Sequence, residues 1–469
     1  MKKILFCAIF LSSFGLLAQN DMHANIDLQF RFANPGARAQ AMGGAFIGLA
    51  DDTTAIFANP AGLARLASTT VVAELGNTDR DNNIPFYSGT IDRVALQDFE
   101  FNLQDRDFPE TTTSVPFVAY VDTRSRLKWG VFYAEQANFE RRFETAGVTI
   151  PRYRNPDYLS NNTLTFFPDS DHFIDLQMRT VGVSAGFALT ERLSVGVTLN
   201  YNDFQYEGKT DLFIPDFQAL FPNETFNPAF LDAIEPLIGD SLARVDVDGD
   251  DQAVSIYAGI LFAPNPRFSI GLAYKQQPKF EYDFTTNGID TNTLEELPTE
   301  TGVGDFRMPD SYGAGISFKP TDLFIFSLEI NRVLYSELAE DFTAFFANPV
   351  DPANNRQVVG DVTEYHAGIE YIITSTTFPL SLRAGYWLEP YHALQNEKLD
   401  TQILFGYTDE SGDFLASFRQ NVFLQQFAED ENHITFGAGL SVGRHFALDV
   451  AADIADETSS YSLSGIYRF

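Results

Sequence analysis

The sequence predicts an all-β chain, with fourteen antiparallel strands closed into a barrel that crosses a membrane. Three observations carry this. Apolar residues alternate with small or polar ones at period two over many segments, which is the pattern of strands with one apolar face. Short turns alternate with long polar excursions between those segments, as in barrels with short periplasmic turns and long outer loops. The chain opens with an export signal, yet no later stretch is an apolar run of transmembrane-helix length.

Residues 1–18 form the signal. Lys2 and Lys3 are its positive start, and Ile4 to Leu17 an apolar core too short to span a bilayer. Cleavage is expected after Ala18, with Ala24 as the later alternative. Cys7 is the only cysteine and lies inside the signal, so the mature chain carries no disulfide or thiolate metal site.

Next comes Asn34 to Leu66, crowded with Ala37, Ala39, Ala41, Gly43, Gly44, Ala45, Gly48 and Ala50. Small side chains let backbones approach closely, so this segment suits a tight space. Asp51 or Asp52 is expected to cap a short helix through Phe57, and Asn59-Pro60 to break it and start another over Ala61 to Leu66.

The barrel, residues 68–469, follows. Its strands are expected at 69–77, 114–121, 127–140, 174–188, 192–207, 251–262, 267–284, 310–319, 322–334, 361–373, 379–390, 433–443, 445–455 and 460–469. At 192–202, for example, Leu193, Val195, Val197, Leu199 and Tyr201 face one way, and Ser194, Gly196, Thr198, Asn200 and Asn202 the other. Turns such as 122–126, 189–191, 263–266, 320–321 and 374–378 are short. The excursions 78–113, 141–173, 208–250, 285–309, 335–360 and 391–432 are long. The last strand ends on Phe469, an aromatic terminus that resembles the signal read by the barrel-insertion machinery.

Composition narrows the function. Phe 45 and Tyr 19 against Trp 2 and Met 5 suit aromatic girdles, and a net charge of −33 argues against nucleic-acid binding. Acidic outer loops fit contact, through divalent cations, with the outer-membrane lipids and lipopolysaccharide. Gly182-Val183-Ser184-Ala185-Gly186 has the letters of a hydrolase nucleophile elbow, but Ser184 falls mid-strand where that chemistry needs a strand-to-helix turn. Asp246 to Asp251 lacks the glycine and glutamate positions of a calcium loop and reads as an exposed acidic turn. The six histidines show no metal-site spacing, and no phosphate-binding glycine loop occurs, so no metal, cofactor or enzymatic role is expected.

Two loop features have functional weight. Phe217, Leu220 and Phe221 fall at helical spacing in the excursion 208–250, as do Phe230, Leu231, Ile234, Leu237 and Ile238, and offer apolar surface for docking. Arg141, Arg142, Arg152 and Arg154 cluster in an otherwise acidic chain and suit carboxylate or phosphate contacts.

The segment 34–66, above all Asn59, Pro60, Ala61, Gly62 and Leu63, resembles the N-terminal signature of the FadL/OmpP1/TodX outer-membrane transport proteins. The resemblance implies that residues 25–67 are a plug, or hatch, inside the barrel. It implies a protein of the Gram-negative outer membrane that takes up hydrophobic small molecules passively, long-chain fatty acids or aromatic hydrocarbons. Ligand would dock on outer loops, enter an apolar pocket beside the plug, and leave sideways by a kinked strand. On that basis Phe46, Ile47, Ile56 and Phe57 would line the pocket, and Gly130 would mark the kink. PorV-type barrels share a related signature, which leaves a non-transporting component of a protein secretion machine as the alternative.

Overall fold

The computed structural model describes residues 35–90, 102–145, 148–150, 165–167, 169–220, 228–288, 295–340, 357–392, 395–396, 405–408, 414–418 and 430–469. The expected signal, residues 1–18, therefore lies outside the described residues, as do Arg152, Arg154 and Phe221.

Fourteen staves close a single antiparallel barrel. The first six are β1 Thr70–Thr90, β2 Asn102–Asp122, β3 Leu127–Thr145, β4 Ser170–Ala188, β5 Leu193–Phe213 and β6 Ser241–Asn265. Two staves are each in two pieces: β7 is Phe268–Gln276 with Lys279–Gly288, and β8 is Glu300–Arg307 with Ser311–Thr321. Then come β9 Phe324–Val333, β10 Val362–Ile373, β11 Leu380–Glu389, β12 Glu431–Val442, β13 Phe446–Ile454 and β14 Thr458–Arg468. β14 pairs back on β1 from Thr70↔Arg468 to Arg80↔Thr458, and the Phe469 amide donates to Thr69 O at 2.9 Å, which seals the barrel. The breaks in β7 and β8 face each other. Pro278 and Pro309 have no amide hydrogen for the ladder, and Asp310 bridges the gap by accepting from the Gln277 amide at 2.8 Å.

The expected strands are all present, but several run far beyond their expected ends. Among the described residues the excursion 78–113 is strand, 208–250 begins and ends in strand, and Arg141 and Arg142 stand on β3 and not in a loop. The reason is a change of phase. Along β5 the exposed face carries Val197, Leu199 and Tyr201 and then turns polar with Gln205 and Glu207. The inner face does the reverse, passing from Asn200 and Asn202 to the buried Phe204 and Tyr206. Apolar-out becomes apolar-in where the strand leaves lipid for water. This boundary lies in register across four staves, because Glu135↔Arg179, Arg179↔Asp203 and Asp203↔Gln252 are paired one row outside Tyr133, Val181, Tyr201 and Val254. The acidic run Asp246 to Asp251 is likewise strand β6 above this rim, with Val245 and Val247 turned inward, and not a turn.

Residues 35–66 lie inside the barrel. They form a one-turn helix α1 (Ala37–Ala41), a second α2 (Ala55–Ala58) and a 3₁₀ turn Pro60–Arg65. The wall makes room with inward glycines paired across strands: Gly186↔Gly196, Gly196↔Gly259, Gly271↔Gly315 and Gly368↔Gly385. A Cβ at Gly315 would lie 2.6 Å from the Gly48 amide nitrogen, and one at Gly186 2.8 Å from Pro60 O. Gly130 belongs to this set: it is regularly paired with Val121 and Ser184, and Ile56 Cδ1 fills the space over it. It is not the site of a kink.

Candidate functional site

The conspicuous residues of the inner segment are structural anchors. Asn59 accepts from the Ala61 amide at 3.2 Å as the cap of the 3₁₀ turn, and its Nδ2 donates to Ile47 O at 2.9 Å and to Ile260 O at 3.2 Å. Pro60 occupies the first helical position, where its missing N–H costs nothing. At Gly62 any side chain would overlap Ala50. On the wall, Glu329 of β9 accepts from the Phe46 and Ile47 amides at 2.7 and 2.6 Å, and Thr435 Oγ1 of β12 lies 3.1 Å from Ala41 O and from the Gly43 amide.

A charge network, buried at Glu370, Arg383 and Asp449 and partly buried at Arg38, Asp51, Asp52 and Lys319, holds the same segment. Arg38 reaches Asp51 at 2.6 Å, Asp52 at 2.9 Å and Glu370 of β10 at 2.8 Å. Glu370 is shared with Arg383 at 2.8 Å, which also meets Asp449 at 2.6 Å, and Lys319 pairs with Asp51 at 2.7 Å. Neither acidic residue is the expected cap of α2, whose N-cap is Thr54 with no side-chain cap bond. Asp52 accepts from the Thr54 amide at 2.9 Å ahead of α2, whereas Asp51 is an ion-pair partner. Burial alone would raise the Asp51 pKa, but Arg38 and then Lys319 outweigh it and hold the carboxyl at about 2. That lies below the ordinary carboxylate value of about 3.9, so its contribution is complete above about pH 4 and is lost as pH falls through about 2. Hydrogen exchange of amides 45–58 across an acid series is expected to stay slow down to about pH 4 and rise toward about pH 2. A rise already near neutral pH would assign the anchoring to other groups.

Between the inner segment and the wall lies a cavity of about 190 Å³, bordered by Phe57, Gln40, Glu74, Ser114, Pro116, Ala134, Gln136, Trp387 and Tyr461, among others. Its outer wall is where β2 and β3 part. The two strands pair only from Asp122↔Trp129 to Phe117↔Ala134, after which β2 follows β1 and β3 follows β4. Both strands are irregular at that level. β2 sets Val115 and Pro116 against the single residue Leu75, and β3 bulges at Gln136, between Glu135 and Ala137. Gln136 turns into the lumen, donating to Thr180 Oγ1 at 2.7 Å and Tyr257 Oη at 2.9 Å. A second cavity of about 180 Å³, on the side of the short turns, is lined by charged groups including Arg38, Asp51, Asp449 and Arg468.

Above the first cavity the lumen is greasy. Phe204 stacks on Phe280 at 4.6 Å and on Phe306 at 5.2 Å, within a buried cluster that includes Met178, Tyr206, Tyr282, Met308 and Tyr335. Phe57 borders the cavity, edge-on to Phe132 at 6.0 Å and Tyr257 at 5.6 Å, with Lys275 Nζ 4.3 Å from its ring centre.

Of the four inner-segment residues expected to line a pocket, Phe57 borders the cavity. Phe46 is buried with Met42, Leu49 and Ile325, Ile47 lies against Gly271 and Gly313, and Ile56 against Gly130. Phe217 and Leu220 bound a one-turn helix, with a second helix at Pro228–Ile234. Arg141 is buried beside Phe143, and the exposed Arg142 lies over Phe173 at 4.3 Å. Ser184, buried in β4, accepts from Thr198 Oγ1 at 2.8 Å and bonds Val197 O at 3.3 Å, within the wall. Gln136, Tyr257, Lys275 and the Phe204 cluster escaped the sequence reading. Their one signal was the inner-face switch from Asn and Thr to Phe and Tyr at the strand tops.

A closed fourteen-stranded barrel with a lipid-facing band and an occupied lumen defines an integral outer-membrane protein of Gram-negative bacteria. The chain belongs to the outer membrane protein transport protein family (OMPP1/FadL/TodX), whose model matches residues 169–404, outside the N-terminal segment. Among solved structures it is similar to the CymD monoaromatic hydrocarbon channel (TM-score 0.56, 15% identity, 94% of this chain and 99% of that one). It is also similar to the toluene transporter TbuX of Ralstonia pickettii (0.54, 16%, 94% and 100%) and to a FadL homologue of Pseudomonas aeruginosa (0.54, 12%, 93% and 98%). At these identities the likeness is one of fold. No curated protein matches the chain.

Proposed function

We propose that this chain is a passive channel for small hydrophobic molecules, with neutral monoaromatic compounds favoured over long-chain fatty acids. The observation that carries this is the cavity beside Phe57 at the parting of β2 and β3. A cavity of about 150 Å³ holds a benzene molecule, so about 190 Å³ suits a single ring and is small for an extended acyl chain. The lining, with Gln40, Glu74, Ser114 and Gln136, is more polar than a storage pocket for an apolar solute and fits a passage. In this reading the solute collects on the outer helices and the Phe204 cluster, passes Phe57, and leaves between β2 and β3 into the bilayer. The downward route past Arg38, Asp51 and Arg468 is charged, which disfavours an apolar solute there. A net charge of −33 also repels carboxylate ligands and leaves neutral ones unaffected. Passage needs no nucleotide, because partition into the bilayer is downhill.

A reversible crosslink tests the exit. Ser114→Cys with Gln136→Cys places one thiol on each side of the parting. Bridging them is expected to reduce labelled toluene uptake to the level of cells lacking the protein, and reduction to restore it. Undiminished uptake by the bridged protein sinks the lateral exit. If the wild-type chain neither takes up nor retains apolar molecules and instead co-purifies with secretion proteins, the channel reading itself fails.

A further inference from the structure

At the outer rim of the barrel, behind the cavity wall formed by Trp387 and Asp453, Glu389, Glu431 and His433 are all buried and each offers a ligand-type atom within 4.8 Å of the others. Strand register brings them together. Glu389 closes β11 opposite Glu431, which opens β12, and Trp387 lies opposite His433 one pair further in. Glu431 and His433, two apart on one strand, share the inner face.

The surroundings orient these atoms. His433 Nδ1 lies 2.9 Å from Asp453 Oδ1 of β13, while the other Asp453 oxygen accepts from Trp387 Nε1 at 3.0 Å. The Trp387 ring stacks on the imidazole at 3.7 Å. With the Nδ1 proton given to Asp453, the Nε2 lone pair faces Glu389 Oε2 at 3.3 Å and Glu431 Oε2 at 3.6 Å. The second oxygen of Glu431 accepts from the Glu457 and Thr458 amides at 3.1 and 3.0 Å, which holds Oε2 toward the histidine. A carboxylate behind a histidine whose far nitrogen meets further acceptors is the arrangement that supports metal-bound imidazole.

Size and charge agree. Ligand atoms bound at about 2.0–2.2 Å around a tetrahedral ion stand about 3.4 Å from each other, close to the two spacings found here. Three buried carboxylates, Glu389, Glu431 and Asp453, converge on a single imidazole. An imidazolium would offset one of their charges and a divalent cation two. A nitrogen donor with two carboxylates favours zinc-type ions over calcium, which takes oxygen ligands in larger number.

We propose that Glu389, Glu431 and His433 form a binding site for a divalent first-row transition ion of the zinc type, oriented by Asp453. The site stands at the root of the excursion 390–430, whose flanking residues are Glu389 and Glu431. A bound ion would pin the two ends of that excursion to each other and to β13.

The test uses the full mature chain in detergent, without a polyhistidine tag, stripped with chelator and titrated with Zn²⁺ at neutral pH. One equivalent is expected to bind, Co²⁺ to give the visible bands of a tetrahedral site, and Zn²⁺ to slow proteolysis within 390–430. His433→Gln and Glu389→Gln should abolish stoichiometric binding, Asp453→Asn should weaken it about 10–100-fold, and His445→Gln, on the opposite rim, should leave it unchanged. Wild-type protein that takes up no stoichiometric Zn²⁺ overturns the proposal. Binding retained in both His433→Gln and Glu389→Gln overturns it equally.

Discussion

Valine at both Gly271 and Gly315 is expected to unseat the inner segment while the barrel stays closed. The two glycines are direct partners on β7 and β8, and both face inward. A Cβ on Gly271 would overlap Ile47 O, and one on Gly315 would stand 2.6 Å from the Gly48 nitrogen. The obstacle is backbone on both sides, so no rotamer change relieves it. That backbone is held to the wall by Glu329, by Ser269 Oγ on Gly48 O at 2.7 Å and by Ser327 Oγ on Ala45 O. Overpacking costs about 1–3 kcal/mol per site. The ladder hydrogen bonds of the wall are untouched, and valine favours strand. The variant should therefore insert and migrate as a folded barrel, yet conduct ions in planar bilayers and admit large hydrophilic antibiotics. A variant as tight as wild type, with amides 45–50 still protected, would show that the glycines are not what admits the segment.

Arg38→Met should loosen the same segment by a different route. Arg38 faces Asp51, Asp52 and Glu370, and removing it leaves those carboxylates with Lys319 and Arg383 as their cationic partners among the described residues. Losing one partner of a buried pair costs about 3–5 kcal/mol, so exchange of amides 37–58 is expected to accelerate by at least two orders of magnitude. Adding Glu370→Gln to Arg38→Met should recover part of the loss, and Arg38→Lys should recover little, because an ammonium cannot span three carboxylates as a guanidinium does. A double-mutant cycle without coupling between Arg38 and Glu370 would remove the wall from this account.

Much of the barrel was legible because a strand between lipid and lumen must alternate, and Leu193 to Asn202 does so residue by residue. The strands beyond the rim were hidden by the same rule. At Phe204 and Tyr206 the apolar face changes sides, and a reading that expects one phase takes the continuation for loop. The inner segment was legible as small residues at Ala37 to Ala50, and the reason for Asn59 and Gly62 became visible only with their partners Ile47, Ile260 and Ala50 in place.

By itself the sequence determined the strands, their even number and the need for a tight interior, since these follow from local periodicity and side-chain size. Only the tertiary structure decided where β2 leaves β3, that Gly130 is a space for Ile56 while Gln136 is the bulge, and that Phe57 meets Phe132 and Tyr257. It alone brought Glu389 to His433. Such contacts depend on strand register and barrel closure, which couple residues far apart in the chain and leave no local pattern to read.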